Sequence, residues 1–172
     1  MCSIIGYSGN EIAAPIIVKG LKRMEYRGYD SVGVATESDN GIELKKGIGK
    51  VNEVNSKIQL DTLPGKTGIG HTRWATHGKV TDLNANPHTS NSGKIAIVHN
   101  GIVENFEELK KQLEDDGYNF KSETDSEVIA NLIEYYLINM NNNIQDAITN
   151  TLNELEGTYA LVIIYTKDLE DN

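Results

Sequence analysis

The chain has one cysteine, Cys2, in 172 residues. No disulfide can form within it, which predicts a reducing compartment, the cytoplasm. Long apolar runs are also missing: no stretch approaches the 18 or so residues that span a bilayer. The start lacks a basic region followed by an apolar segment, so no secretory signal is expected. Positive charge is scarce toward the end. Residues 104–172 carry 4 basic against 16 acidic side chains, while residues 1–50 carry 7 against 6 and residues 51–103 carry 5 against 3, for a net charge of −9. Such a surface repels phosphate backbones and anionic lipid, which excludes nucleic acid and membrane as partners. The acidic third reads as a set of solvated helix faces.

What is present suits one globular domain with a sizeable core, with 38% hydrophobic and 6% aromatic residues. Cys2–Tyr7 reads as a strand, and a helix from about Glu11 to Met24 places Ile12, Ile16, Ile17, Leu21 and Met24 at helical spacing. Strands follow around Val32–Thr36 and Ile42–Ile48, joined by a hairpin at Ser38-Asp39-Asn40-Gly41. Gly68–Ala75 and Lys94–Val103 are strand-like, and Thr76–Gly93 between them is a long loop of the kind that carries function. Phe106, Leu109 and Leu113 open a helical region that Gly117 ends. Thr124-Asp125-Ser126-Glu127 reads as a capping box for a second helix, a third runs from Ile144 to Leu155, and the apolar run Ala160–Ile164 predicts a strand covered on both faces. Strands, then helices, then a strand make an α+β layered domain.

Candidate chemistry sits at the ends of these elements. Removing Met1 gives Cys2 a thiol and an α-amine on one residue, so the nucleophile carries its own base. The plain alternative is a small buried hydrophobe. In Gly70-His71-Thr72-Arg73-Trp74-Ala75-Thr76-His77-Gly78 the arginine fork suits a carboxylate, or else the arginine is exposed above a buried tryptophan. Asn100-Gly101 offers an amide donor and a backbone N–H for an oxyanion, or a hairpin turn. Asp125 is a carboxylate for a substrate amine, or an acid favoured by a helix dipole. His71, His77, His88 and His99 lack the spacing of a metal site.

The order and wording of these segments resemble a family. Cys2-Ser3-Ile4-Ile5-Gly6, the run Leu21–Gly33 (LKRMEYRGYDSVG), Gly68–Gly78 (GIGHTRWATHG), Val98–Asn105 (VHNGIVEN) and Ser122–Glu127 (SETDSE) are similar to the glutaminase domain of class II glutamine amidotransferases, which are N-terminal-nucleophile hydrolases. The resemblance covers essentially the whole chain. It implies a four-layer α/β/β/α sandwich in which Cys2 attacks the side-chain amide of L-glutamine. Asn100 and Gly101 would stabilise the oxyanion, Arg73 and Asp125 would hold the α-carboxylate and α-amine, Thr76 and His77 would line the pocket, Trp74 would close over it, and Arg27 would lie nearby. No metal or organic cofactor is implied. The wording favours the branch that aminates fructose 6-phosphate over the amidophosphoribosyltransferase branch, which would be expected to show RYST in place of RWAT. It also implies that the domain continues past residue 172 into a synthase (sugar isomerase) domain, through which a homodimer would form. A silent glutamine-binding module is the reading from a different class. Two departures stand out: Ser3 replaces a glycine, and Asn86 replaces a usual histidine.

Overall fold

The computed structural model describes residues 2–75, 79–140 and 143–167. Strand β1 (Ser3–Ser8) pairs with β4 (Thr67–Arg73), which pairs on its other side with β2 (Ser31–Ser38), and β2 turns back into β3 (Gly41–Ile48). The result is an antiparallel sheet in the order β1-β4-β2-β3. Ser38 pairs with Gly41, so Asp39-Asn40 is the two-residue hairpin turn expected from the sequence.

Alternation along these strands divides the sheet into two faces. Val32 and Val34 point to helix α1 (Ala13–Met24), whose Ala13, Ala14, Ile17 and Leu21 are completely buried, and to α2 (Val51–Ile58) through Val51 and Val54. Full burial of Ile17 or Leu21 contributes about 2 kcal/mol each. Ile12, assigned to this face by spacing, instead stands half-exposed just before the helix. The sequence reading missed α2, since eight residues with two buried valines give too little periodicity to separate a helix from a loop.

The opposite face bears Ala35 and Ile69 and packs on Ala96, Val98 and Ile164 of a second antiparallel sheet, β5 (His88–Thr89), β6 (Ile95–Val103) and β7 (Gly157–Tyr165), in that order. Beyond it Ile95, Ile97 and Val103 meet helices α3 (Phe106–Asp115), α4 (Asp125–Asn139) and α5 (Ile144–Glu154). Helices, sheet, sheet and helices form the expected α/β/β/α sandwich. β7 packs on both faces, through Leu161 and Ile163 on the helices and Val162 and Ile164 on the facing sheet, yet apart from Ile164 its residues stay partly exposed because among the described residues it pairs only with β6.

Two local expectations are overturned. Asn100-Gly101 is no turn; it lies inside β6, opposite Ala160 and Tyr159. The capping box does not form, because Glu127 turns back to accept from the backbone N–H groups of Lys121 (2.9 Å) and Ser122 (2.6 Å) and from the Ser122 hydroxyl (2.6 Å). Thr124 faces His88 and Ser122 instead.

Candidate active site

The start of β1 and the ends of β4 and β6 meet the first turn of α4 at one end of the sandwich. They enclose a cleft of about 290 Å³, mouth included, lined by Cys2, Arg73, Trp74, Asn86, Gly101 and Asp125, with His71, His99, Thr124 and Ser126 around them.

Cys2 is half-buried immediately before β1. The Trp74 N–H donates to its Sγ at 3.3 Å, and the thiol donates to the Trp74 carbonyl at 3.5 Å. Burial raises the thiol pKa above its ordinary 9.0, opposed by the Trp74 N–H and the Arg73 charge and reinforced by Asp125. A thiol held neutral this way needs a base beside it to become a nucleophile. Ser3 follows in extended strand, buried, its hydroxyl donating to the Met24 carbonyl at 3.3 Å. Left-handed backbone at a non-glycine residue occurs among the described residues only at Gln59, so the Ser3 side chain causes no backbone strain.

Arg73 and Trp74 invert the bland alternative. The arginine is 4% exposed and the tryptophan 46%, because Arg73 follows Ile69 and His71 on the inward face of β4. One Arg73 Nη donates to the Lys79 carbonyl at 3.1 Å. Burial lowers the guanidinium pKa while Cys2, Asp30 and Asp125 oppose it; an arginine keeps its charge even so. Trp74 stacks edge-on against Tyr29, centroids 5.8 Å apart. The Asp30 carboxylate takes the Ala75 N–H at 2.9 Å, and the Asp30 N–H donates to the Arg73 carbonyl at 3.0 Å, so the Tyr-Arg-Gly-Tyr-Asp segment fixes the end of β4.

Asp125, buried in the first turn of α4, accepts the Val103 N–H through Oδ2 at 2.9 Å and keeps Oδ1 near the Ser126 hydroxyl, 3.4 Å away. Gly101 lies at φ +152°, and a Cβ there would stand 2.0 Å from the Thr158 carbonyl oxygen, so no side chain fits. Asn100 is half-buried on the face of β6 that carries Ala96 and Val98, outside the lining of the cleft. Arg27 ends a short 3-10 turn, partly buried, and also lies outside the lining. Thr76 and His77 fall outside the described residues.

Sequence reasoning weighed His71, His88 and His99 only as metal ligands. His71 donates through Nε2 to the His99 carbonyl at 2.9 Å, since a carbonyl only accepts, and burial drops its pKa to about 3. His99 Nδ1 meets the Ser126 hydroxyl at 2.9 Å, and His88 Nε2 meets the Thr124 hydroxyl at 3.1 Å, with burial holding the His88 pKa well below its ordinary value. Burial keeps His71 and His88 neutral, and all three histidines brace neighbouring elements. No cluster of three His, Cys, Asp or Glu ligands occurs among the described residues.

The fold and the near-terminal thiol at its cleft define the N-terminal-nucleophile class of glutamine amidotransferase. A profile described as a glutamine amidotransferase domain matches residues 71–170, and the chain belongs to that family. Similar curated proteins include glutamine–fructose-6-phosphate aminotransferases (isomerizing) of Pyrococcus horikoshii, 54% identical over 99% of this chain, and Caldanaerobacter subterraneus, 51% identical over 95%. The chain spans 28% and 26% of their lengths. Among solved structures it resembles the glutamine phosphoribosylpyrophosphate amidotransferase of B. subtilis, with TM-score 0.81 and 33% identity over 96% of this chain and 35% of that one. Among the described residues no helix is long and apolar enough to cross a membrane.

Proposed function

We propose that this chain hydrolyses the side-chain amide of L-glutamine and supplies the ammonia for amination of fructose 6-phosphate. The observation that carries the reading is the placement of a thiol, a buried guanidinium and a buried carboxylate on one small cleft. The last two match the α-carboxylate and α-amine of an amino acid, and they leave its side-chain amide for the thiol.

In the proposed cycle Met1 has been removed. The Cys2 α-amine takes the thiol proton as Sγ bonds to the amide carbon, and the carbonyl oxygen becomes an oxyanion held by the Gly101 N–H and the Asn100 side chain, which has to reach into the cleft. The amine then passes its proton to the leaving nitrogen, the C–N bond breaks, and ammonia departs from a γ-glutamyl thioester. Water adds to the thioester with the amine as base, the C–S bond breaks, and glutamate leaves with the thiol restored. Trp74 and Tyr29 would cover the mouth, with Thr76 and His77 completing the pocket and Arg27 supporting it. No metal or organic cofactor takes part.

Residues 1–172 would be the glutaminase part of a longer cytoplasmic protein whose synthase (sugar isomerase) domain receives the ammonia and holds a homodimer together. The names of the sequence relatives and the fraction of their length matched support a longer protein of this activity, and they favour it over phosphoribosylpyrophosphate amidation. The test is glutamate release from L-glutamine by the full-length protein, with Met1 removal verified by mass spectrometry, beside Cys2→Ala. Release that vanishes in the variant is expected. Glutamine binding without release by correctly processed protein would refute the reading in favour of a silent module.

A further inference from the structure

The long loop before β5 is held by a lysine that no motif singles out. Lys46 lies on β3 opposite Gly33 and, by alternation with Ile42 and Leu44, on the face turned to the second sheet. Its Nζ donates to three loop carbonyls, Leu83 (3.2 Å), Ala85 (2.6 Å) and Pro87 (3.1 Å). The loop backbone lies directly on the sheet at this point: a Cβ on Gly33 would stand 2.2 Å from the Asn86 carbonyl oxygen. Beside this clamp the Ile48 N–H donates to Asp82 Oδ1 at 2.9 Å.

The clamped loop leads into the site from both sides. Asn86 lines the cleft. The Lys79 carbonyl, which accepts from Arg73, also accepts from the Asn84 side chain at 2.9 Å. Asn84 in turn accepts the Glu123 N–H at 2.9 Å, two residues before Asp125. We propose that Lys46 is a positioning residue for glutamine, setting through this loop where the Arg73 fork and the Asn86 wall stand. The inference rests on the glutaminase reading above. An ammonium matches three converging carbonyls as a neutral side chain cannot. Burial makes its charge costly and pulls its pKa from 10.5 down to about 8, with Glu127 of α4 and Asp82 of the loop opposing the shift and Lys121 and Arg73 adding to it. The position keeps a lysine at that cost, and the three carbonyls are the compensating gain.

The test compares Lys46→Met, similar in length and without donors, with Lys46→Arg in the full-length protein, by steady-state glutaminase kinetics and by hydrogen exchange of the loop amides. Lys46→Met should raise the KM for glutamine about tenfold or more with kcat changed much less, and lower the protection of the Asn84 and Ala85 amides while leaving β2 and β4 intact. Lys46→Arg should recover most of both effects. Unchanged loop protection, protection lost evenly across the sandwich, or an opened loop with unaltered KM would each overturn the assignment. Wild-type protein that releases no glutamate would defeat the glutaminase reading instead, and the exchange arm would still decide whether Lys46 holds the loop.

Discussion

Removing the Arg73 fork should abolish the preference for an α-carboxylate without abolishing the chemistry. Arg73 is 4% exposed, lines the cleft, and donates one bond to the Lys79 carbonyl; its planar fork is suited to gripping a carboxylate with two parallel bonds. A hydrogen bond to a charged partner contributes about 1.5–3 kcal/mol, and a two-bond grip about 3 kcal/mol or more, which is roughly a hundredfold in affinity. The assay compares kcat/KM for L-glutamine with that for 4-aminobutanamide, the same molecule without its carboxylate. Wild type should favour glutamine by about a hundredfold, Arg73→Met should bring the ratio near one, and Arg73→Lys, which keeps the charge but loses the fork, should fall between. Both substrates meet the same folded protein, so any loss of stability from losing the Arg73–Lys79 bond cancels in the ratio. A ratio unchanged in Arg73→Met would refute the carboxylate assignment.

Gly101→Ala should destabilise the protein by about 1–3 kcal/mol from backbone strain alone, about 2–10 °C in melting temperature, because its φ of +152° excludes a Cβ that would press on the Thr158 carbonyl; a wild-type melt would contradict the strand register. With Met1 retained, Cys2 should be alkylated by iodoacetamide with a midpoint above the ordinary 9.0, since burial favours the neutral thiol, and the stability tied to that thiol should be fully present below 9 and lost above it as pH rises through the folded value; a midpoint at or below 9.0 would contradict the desolvated geometry. For Lys46 the sign is opposite. Its folded pKa of about 8 lies below 10.5, so the unfolded chain binds more protons between these values and the lysine's contribution to stability rises with pH across that window. Denaturant midpoints of wild type and Lys46→Met between pH 8 and 10 should diverge, wild type gaining on the variant as pH rises.

The layering was legible because period-two and period-3.6 patterns are set by burial, and burial here is strict: Ile17, Leu21, Ile129 and Ile133 are almost completely enclosed. The turn signal at Asn100-Gly101 misled for a physical reason. A glycine that accepts positive φ is needed both in a tight hairpin and wherever a strand must approach a neighbour more closely than a Cβ permits, and the second applies at Gly101. Thr124-Asp125-Ser126-Glu127 misled in the same way, because a carboxylate in the first turn of a helix can turn back to the N-cap N–H or reach past it to the chain before the helix, and Glu127 does the latter.

The site shows the limit of local reading more sharply. Arg73 and Trp74 are adjacent, and local preference puts the charge outside and the indole inside; β4 reverses them because Ile69 must face the second sheet and the period of two carries His71 and Arg73 inward with it. The cost of burying that guanidinium falls mostly on partners far away in sequence, Asp30 from the turn after α1 and Asp125 from the start of α4, and also on the nearby Lys79 carbonyl of the loop that Lys46 clamps. No window of the sequence contains that set. Its members become related only when the two sheets stack, so in this fold the packing that stabilises the sandwich also gathers the charges at the cleft.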